Sequence, residues 1–408
     1  MLRSIFLWLG IFLAGCDSPP NDMPSPNLKK EDTSLEAASP GGQAHLDDAG
    51  EVFDLLIEDF NEDGFRDVMV VDHSGNEARL HLQETSRVFK KPLQSSAVGF
   101  HPGTFIVSQH NPLLVTEGCE GENAIKSFSF DPVTGLKEVS SHPMKAPRFI
   151  EWFHWPEWGR SIVAAPYENG YLEILRGFDP LSGATQGDFI LPLSDNAKTI
   201  REAVRVRVAD LDGDHTDELV TVDAITNEVL AFQYPGKEQK RPPKPRLLGS
   251  DPSWGMPNDA TILDLDGDGD LDLLVADEVA PGRIHPLLNQ GKMKFSKLSD
   301  LIFPGDRGVL ELRAGIDQDG FRYLAAAGYG AIALYQIPKN WKDGDPIPRR
   351  DIPWRDDLSF DMELVDVDGD DWLDLVLGRT LGPGHVWIAY GPLWDRFEQF
   401  GQSGFVLQ

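Results

Sequence analysis

Residues 264–277, DLDGDGDLDLLVAD, constrain the fold more than any other part of this sequence. Alternation places Asp264, Asp266 and Asp268 on one side of a tight turn, and Gly269 permits the backbone reversal that returns Asp272 to the same point. Carboxylates that share one point repel each other unless a cation lies between them. A hard cation with about six to eight oxygen ligands fits this pattern, and Ca²⁺ fits it better than Mg²⁺.

The residues on both sides of this turn predict strands. Residues 273–276 and 260–263 are short apolar runs of the kind found in buried strands. The EF-hand, the first alternative, needs a bidentate Glu at its twelfth position and a helix on either side. The twelfth position here is Val275, and nothing nearby has helical periodicity. The sequence therefore predicts a cation that ties together a β-hairpin.

The same apolar strand recurs along the chain. It begins at residues 68, 113, 162, 219, 273, 324 and 375, at intervals of about 50 residues. Another strand precedes each copy, an alternating third strand follows it, and a looser fourth segment closes the unit. This organisation is typical of propeller blades. We expect an all-β fold, a seven-bladed β-propeller of four-stranded blades over residues 52–408. Because the last repeat contains all its strands, we expect closure without a strand from the N-terminus.

Four of the seven turns between the first and second strands keep the acidic pattern. The candidate metal ligands share the first, third, fifth and ninth positions of these loops, and they are Asp59, Asn61, Asp63 and Asp67 in repeat one, Asp210, Asp212, Asp214 and Glu218 in repeat four, Asp264, Asp266, Asp268 and Asp272 in repeat five, and Asp366, Asp368, Asp370 and Asp374 in repeat seven. His215 and Asp371 stand where glycine is expected. They would need a left-handed backbone, which His and Asp tolerate better than most residues.

The other three turns depart from the pattern. Repeat six keeps Asp317 and Asp319 but has Gly315 and Tyr323 at the outer positions, so we expect weak metal binding or none. Repeats two and three lack the acids and carry QHN at 109–111 and WPEW at 155–158. In repeat three we favour aromatic side chains that fill the hairpin in place of an ion, and a sugar-stacking platform is the alternative.

The pattern D-x-[DN]-x-D-G-x-x-D followed by an apolar strand resembles the FG-GAP and VCBS repeats. These repeats form the propeller of integrin α-subunits and of many exported bacterial proteins. Residues 288–295, LNQGKMKF, also resemble the N-x-G-x-x-x-F tail of VCBS units. The resemblance covers about 350 residues. It implies a propeller stabilised by about four structural Ca²⁺ ions, with the metal loops on one face and ligands bound on the other, and it implies no particular reaction.

The N-terminus predicts export and a lipid anchor. Residues 1–16 carry Arg3 and an apolar stretch that is too short to span a bilayer, which is typical of a signal peptide. Residues 13–16, LAGC, resemble the lipobox of bacterial lipoproteins, which implies lipidation of Cys16 and a place in the cell envelope, facing the periplasm or at the cell surface. An uncleaved signal anchor and an ordinary secreted protein are the alternatives. Residues 17–51, rich in Pro and Gly, predict a disordered tether.

Composition and net charge exclude some classes of binding partner. The chain has 66 acidic and 37 basic residues, and its formal charge of −29 argues against nucleic acid and against anionic membrane surfaces. Membrane contact is therefore expected only through the lipid anchor. Cys16 and Cys119 are the two cysteines, so lipidation of Cys16 would leave no internal disulfide. The basic residues between 237 and 246 predict an exposed outer loop.

Two functions remain open. The favoured one is a non-catalytic, monomeric, adhesion-like module for binding or scaffolding, with a protein or carbohydrate ligand on the face opposite the calcium loops. The alternative is an envelope enzyme that acts on polysaccharide, such as a lyase. Residues 328–333, GYGAIA, match a dinucleotide motif only superficially, because no helix follows. The residues expected near the ligand-binding face are Tyr167, Glu168, Trp254, Glu278, Arg283, Trp354, Arg355, Arg379 and His385.

Overall fold

A computed structural model describes most of the chain beyond the N-terminal region. The described residues are 42–47, 49–92, 95–108, 113–117, 123–131, 134–167, 169–196, 199–236, 242–305, 307–354, 359, 361–380 and 385–402. The predicted signal peptide with Cys16, residues 17–41 of the predicted tether, the turn at 109–111, Cys119 and most of the basic stretch lie outside them. No helix within the described ranges is long and apolar enough to cross a membrane.

The described elements are strands, apart from one helix near the C-terminus. In chain order they are β1 (Gln43–Asp47), β2 (Val52–Glu58), β3 (Asp67–Asp72), β4 (Glu77–His81), β5 (Gln83–Thr85), β6 (Val88–Phe89), β7 (Ser96–Ala97), β8 (Pro102–Val107), β9 (Leu113–Glu117), β10 (Ala124–Asp131), β11 (Gly135–Pro143), β12 (Pro147–Trp155), β13 (Gly159–Pro166), β14 (Tyr171–Arg176), β15 (Gly187–Pro192), β16 (Ala203–Ala209), β17 (Glu218–Asp223), β18 (Glu228–Phe232), β19 (Arg246–Ser250), β20 (Pro257–Leu263), β21 (Asp272–Asp277), β22 (Arg283–Asn289), β23 (Phe295–Lys297), β24 (Leu301–Ile302), β25 (Val309–Ile316), β26 (Arg322–Gly328), β27 (Gly330–Ile337), β28 (Arg349–Trp354), β29 (Met362–Val365), β30 (Asp374–Gly378), β31 (His385–Ala389) and α1 (Leu393–Gln402).

The strands form a closed ring of antiparallel sheets. Six of the sheets in the described chain have four strands, and one has a fifth short strand. Blades one to seven contain, in turn, β2, β3, β4 and β7; β8 to β11; β12 to β15; β16 to β19; β20 to β24; β25 to β28; and β29 to β31 with β1. The inner strands β2, β8, β12, β16, β20, β25 and β29 contact each other in that order, and β29 contacts β2. The predicted all-β propeller is confirmed.

The core lies between neighbouring blades. Every residue of β3, β17 and β21 is buried, because each of these second strands is covered on both faces by the adjacent sheets. A strand that is buried on both faces needs a nearly continuous apolar sequence, which is the repeat that the sequence shows. Leu274 of blade five and Leu324 of blade six, for example, belong to one apolar cluster.

The ring is closed by the N-terminal strand. β1 pairs antiparallel with β31, and Leu46, which is 1% exposed, lies opposite Val386. The prediction of closure without an N-terminal strand is therefore wrong. The predicted boundary between tether and propeller at residues 51 and 52 is also wrong, because the segment from Gln43 to Asp47 is an ordered strand of blade seven.

The C-terminal helix explains why blade seven needs this strand. After β31 the chain enters α1 instead of forming a fourth strand. Leu393 and Phe397 of α1 are buried in the apolar cluster shared by blades six and seven. The helix therefore packs beside β28, and the outer position of blade seven is left for β1.

Antiparallel pairing sorts the turns to two ends of the ring. The turns between inner and second strands, at 59–66, 210–217, 264–271, 317–321 and 366–373, form one end, which we call the loop face. The turns between second and third strands, at 73–76, 224–227 and 278–282, form the other end, which we call the open face. The acidic loops therefore share one face.

Candidate metal centres

Acidic side chains converge at three of the loops. In each group the ligand oxygens lie within 4.8 Å of one another, and the groups are Asp210, Asp212 and Glu218; Asp264, Asp266 and Asp272; and Asp366, Asp368 and Asp374. These are the first, third and ninth positions of the predicted loops. The structure therefore brings together three of the four residues that the sequence proposes in each of these blades.

Backbone N–H groups fix the first acidic residue, as the blade-five loop shows. Gly267 donates to Oδ1 of Asp264 at 2.7 Å, and Gly269 donates to Oδ2 at 3.2 Å. Both glycines have left-handed backbones, with φ of +81° and +95°. The loop thus curls around Asp264 and holds its carboxylate beside those of Asp266 and Asp272.

The two non-glycine residues at the sixth position adopt the same conformation. His215 has φ +67° and donates its N–H to Oδ2 of Asp210 at 2.8 Å. Asp371 has φ +69° and donates to Oδ2 of Asp366 at 3.0 Å. The left-handed backbone predicted for His215 and Asp371 is therefore confirmed.

The ninth-position acid connects the loop to the rest of its blade. Both oxygens of Asp272 accept backbone hydrogen bonds, from Leu265 within the loop and from Asn289 at the end of β22, each at 2.7 Å. Asp374 does the same with Val367 at 2.8 Å and Gly391 at 2.7 Å. One carboxylate thus joins the loop, the second strand and the end of the third strand.

Blade one repeats this connection, and blade four repeats the bond to the loop. Asp67 accepts hydrogen bonds from Phe60 at 3.0 Å and from Gln83 at 2.9 Å. Glu218 accepts one from Leu211 at 2.7 Å. The longer side chain of Glu218 therefore reaches the same loop position that the aspartates reach.

Burial makes these ninth-position carboxylates costly to ionise. It raises the pKa of Asp67 to about 6, and it raises the pKa values of Glu218, Asp272 and Asp374 to about 7. The backbone hydrogen bonds oppose this effect, while the neighbouring loop acids add to it. Ionised oxygens held this close favour a bound cation, and an all-oxygen set suits a hard one.

The fifth-position aspartates lie outside the three converging groups. Asp214 accepts the N–H of Thr216 at 2.8 Å, and Asp268 accepts that of Asp270 at 2.9 Å. Asp370 accepts the N–H of Trp372 at 3.0 Å. Each therefore stabilises its own turn through one oxygen and keeps the other oxygen for further contacts.

The blade-one loop has the same backbone pattern with one amide ligand. Asp63 N–H donates to Asp59 at 3.0 Å and to the side-chain oxygen of Asn61 at 3.1 Å, and Gly64 donates to Asp59 at 2.8 Å. Asn61 also donates to Asp63 at 2.9 Å. At the four ligand positions, this loop carries one negative charge fewer than the loops of blades four, five and seven.

Blade six has a shorter turn. Its strands remain paired as far as Ile316 and Arg322, so only residues 317–321 connect them. Asp317 accepts the N–H of Phe321 at 2.8 Å, and Tyr323 is buried with its hydroxyl bonded to Gln336 at 2.8 Å. This five-residue turn is shorter than the eight-residue acidic loops, and weak metal binding or none in blade six stays a prediction.

Aromatic residues occupy the corresponding hairpin of blade three. Trp155 is fully buried, its indole N–H donates to the carbonyl of Asp217 at 2.6 Å, and its ring contacts Trp158 edge to face at 5.0 Å. Phe153 is 2% exposed. These buried rings fill the hairpin, as the favoured interpretation expects, and a sugar could not stack on Trp155 or Phe153.

A second set of charged residues, which the sequence analysis missed, lies on the inner strands. Inner strands are sheet edges, so their N–H groups need partners other than a strand. Asp259 of blade five accepts the N–H of Leu312 of blade six at 2.9 Å. Asp361 of blade seven accepts that of Leu55 of blade one at 2.7 Å, and Asp54 of blade one accepts that of Phe105 of blade two. These acids link successive blades.

Arginines neutralise this inner ring of acids. Arg205 of blade four forms an ion pair with Glu311 of blade six, across the intervening blade. Arg207 pairs with Asp259 at 2.9 Å. Asp259 and Glu311 have no exposed surface, and burial raises the pKa of Glu311 to about 8. The only signal in the sequence is the alternation of charged and apolar residues within β16, AVRVRVA, and β25, VLELRAGI.

The residues predicted for the open face contact several different partners, and Tyr167 and Glu278 both interact with Arg148. Trp254 is buried and stacks on His285 at 4.9 Å, while Arg283 pairs with Asp300 at 3.1 Å. Glu278 is nearly buried, and burial raises its pKa to about 8. Arg379 donates its N–H to the carbonyl of His385 at 3.0 Å, and Arg148 lies over the ring of Tyr167 at 5.2 Å. Glu168, Arg355 and the side chain of Trp354 lie outside the described part.

Comparison with known proteins supports the fold. No protein-family model matches the sequence, and no curated protein matches it. Two solved structures of BBS1N in complex with ARL6DN, one soaked with lead and one with mercury, are similar to this chain with TM-scores of 0.53 and 0.54. Sequence identity is 11% and 12%, and the matches cover 85% and 84% of this chain and 97% and 93% of those chains. At this identity the similarity shows the β-propeller fold alone.

Proposed function

We propose that this protein is a calcium-stabilised β-propeller that serves as a non-catalytic binding or scaffolding module. The observation that supports it best is the convergence of three carboxylates in each of three loops, on a single face of the ring. Calcium would neutralise these carboxylates and fix the hairpins that carry them. The opposite face would then be held rigid for a ligand.

The proposed sites use the loops of blades one, four, five and seven, about four ions in all. The first-, third- and ninth-position oxygens would bind the ion directly, and the fifth-position aspartates would contribute their second oxygen. We extend the proposal to Asp59, Asn61, Asp63 and Asp67, since their loop has the same backbone hydrogen bonds as the others. The fit to Ca²⁺ rests on the oxygen donors and on a loop that tolerates variable geometry.

The inner ring of acids favours binding over catalysis. Three of these acids accept a backbone N–H of the next blade, so their carboxylates already make structural hydrogen bonds: Asp54, Asp259 and Asp361. Arg205 and Arg207 are likewise paired with buried acids. The polysaccharide-acting enzyme is therefore the less favoured candidate.

We favour a protein as the class of ligand. BBS1N, which shares the propeller fold, was solved in complex with ARL6DN. We propose that this chain also binds a protein through its open face, as a monomer, and a carbohydrate is the second class of ligand. The proposed placement in the FG-GAP and VCBS group rests on the acidic repeats alone.

Ligand binding without turnover is the expected behaviour. The immobilised full chain should retain a protein or polysaccharide from a cell-envelope extract in calcium and release it in chelator, because the loops hold the blades in register. Bound and flow-through fractions would be assayed by mass spectrometry and for unsaturated sugar products. Release of such products from a polysaccharide by the purified chain would contradict the non-catalytic proposal.

Removal of calcium should destabilise the propeller. At free calcium ten times a dissociation constant of about 10⁻⁴–10⁻³ M, each site would add about 1.4 kcal/mol, and four sites about 5–6 kcal/mol. We therefore expect chelation to lower the melting temperature substantially and magnesium to restore it poorly. Calorimetry with and without chelator would measure both effects.

Paired variants provide the control for this experiment. Asp268→Ala removes a proposed ligand from the blade-five loop, while Asp319→Ala removes an aspartate from the short turn of blade six. We expect a larger loss of calcium-dependent stability for Asp268→Ala. A melting curve that chelator leaves unmoved, together with less than one calcium per purified chain, would rule out the calcium assignment.

We also propose that Cys16 anchors the chain to the cell envelope through lipid. The proposal rests on the lipobox-like sequence at residues 13–16 and on the export signal before it. Cys16→Ala should abolish lipid labelling and either release the protein from the membrane fraction or leave it unprocessed. Unchanged labelling and membrane retention in this variant would contradict the anchor.

A further inference from the structure

We propose that Arg87 is a built-in counter-ion of the blade-seven loop and makes this loop a weaker calcium site than the loops of blades four and five. This inference rests on the proposed calcium function and ranks its sites. The Nε of Arg87 donates to Asp368, and Nη2 donates to Asp370 at 3.1 Å. Asp368 and Asp370 occupy the third and fifth ligand positions of that loop.

The arginine is held in place from several sides. Its guanidinium lies over the ring of Tyr390 at 4.6 Å, and its backbone N–H donates to the side-chain oxygen of Gln83 at 2.8 Å. Gln83 is fully buried, and its side-chain amide donates to the carbonyl of Val367, inside the blade-seven loop, at 3.0 Å. The guanidinium is therefore a fixed part of this loop's surroundings.

This contact crosses the closure of the ring. Arg87 lies between β5 and β6, a separate small hairpin inserted between β4 and β7 of the first blade, whereas Asp368 belongs to the last blade. Asp368 has a side-chain exposure of 1%, so the pair is shielded from solvent on the acidic side. A guanidinium stays charged at all ordinary pH values. The first and last blades are thus joined by an ion pair that needs no metal.

The other loops have different neighbours. In blade four the third-position acid, Asp212, accepts a hydrogen bond from the neutral amide of Gln233 at 2.9 Å. In blade five the guanidinium of Arg322 is 3.9 Å from Asp264, beyond hydrogen-bonding distance. His215 of blade four is 3.8 Å from Asp210 and 97% exposed. Blade seven therefore differs from blades four and five in having a cation bonded directly to proposed ligand oxygens.

A calcium ion entering the blade-seven loop would have to displace Arg87 from Asp368 or share that carboxylate with it. Either route costs binding free energy, because the two cations repel each other and compete for the same oxygens. Loops with fewer available charges bind calcium more weakly. The expected order is that blades four and five fill at lower calcium than blade seven, while the junction of the first and last blades stays closed without metal.

Terbium luminescence can report on this loop separately. Trp372 lies at the seventh position of the blade-seven loop, where its backbone N–H donates to Asp370 at 3.0 Å, and at this position its indole would sensitise a Tb³⁺ ion bound in the loop. Trp155 also lies near the blade-four loop through its bond to Asp217. The part of the terbium luminescence that is lost in Trp372→Phe therefore comes from the blade-seven loop. Calcium would then be titrated in to displace the terbium from each site.

The test compares Arg87→Gln with Arg87→Lys on the full chain. Arg87→Gln removes the charge and should lower the Tb³⁺ concentration that half-saturates the Trp372-dependent signal by about tenfold, because one competing cation is gone. Arg87→Lys keeps the charge and should stay within about threefold of the unmodified chain. An unchanged midpoint in Arg87→Gln would overturn the inference, provided that the terbium signal that does not depend on Trp372 saturates normally.

A mirror variant keeps the inference testable if Arg87→Gln folds poorly. Gln233→Arg places a guanidinium beside Asp212 and should weaken the part of the signal that remains in a Trp372→Phe background. If Gln233→Arg leaves terbium binding unchanged, this result would contradict the proposed role of the charge. If no variant gives a saturable terbium signal that calcium displaces, the calcium function itself fails, and the ranking of the sites fails with it. An unchanged midpoint in Arg87→Gln, in contrast, overturns the ranking alone.

Discussion

A buried carboxylate at the base of each acidic loop is the interaction on which this fold depends. In blade five, Asp272 accepts the N–H of Leu265 in the loop and of Asn289 at the end of the third strand. Asp374 makes the equivalent bonds in blade seven. Each of these acids fixes the hairpin and also presents a charged group to the other loop acids. Structure and proposed metal binding thus depend on the same atoms, since the charge that ties the strands also needs a counter-ion.

The same principle operates between blades. Inner strands are sheet edges, and Asp54, Asp259 and Asp361 satisfy edge N–H groups of the following blade. Arg205 of blade four balances the buried charges of Asp259 in blade five and of Glu311 in blade six. At the junction of blades one and seven, Arg87 takes a comparable role on the loop face. Some of the acidic side chains are therefore buried inside the fold, where their carboxylates bind backbone N–H groups and arginines.

Local spacing predicts the parts of the structure that are local. The repeated apolar second strand predicts the propeller, and the loop pattern predicts the left-handed backbone at His215 and Asp371. Contacts between residues far apart in the chain carry no such pattern. The pairing of β1 with β31 joins the two ends of the propeller, and Arg87 meets Asp368 across 281 residues. Neither Arg87 nor β1 carries a pattern in the sequence that identifies its partner, because only the closed ring brings the two partners together.

The central claim is that the acidic loops are calcium sites that stabilise the ring. Anomalous scattering from crystals grown in calcium tests it most directly, because it locates each ion independently of stability. The account predicts a peak in each of the loops of blades four and five, coordinated at about 2.3–2.6 Å by carboxylate oxygens that include Asp264 and Asp272. Blade six should show no peak at Asp317. Well-ordered loops in blades four and five without anomalous density, at millimolar calcium, would contradict the account.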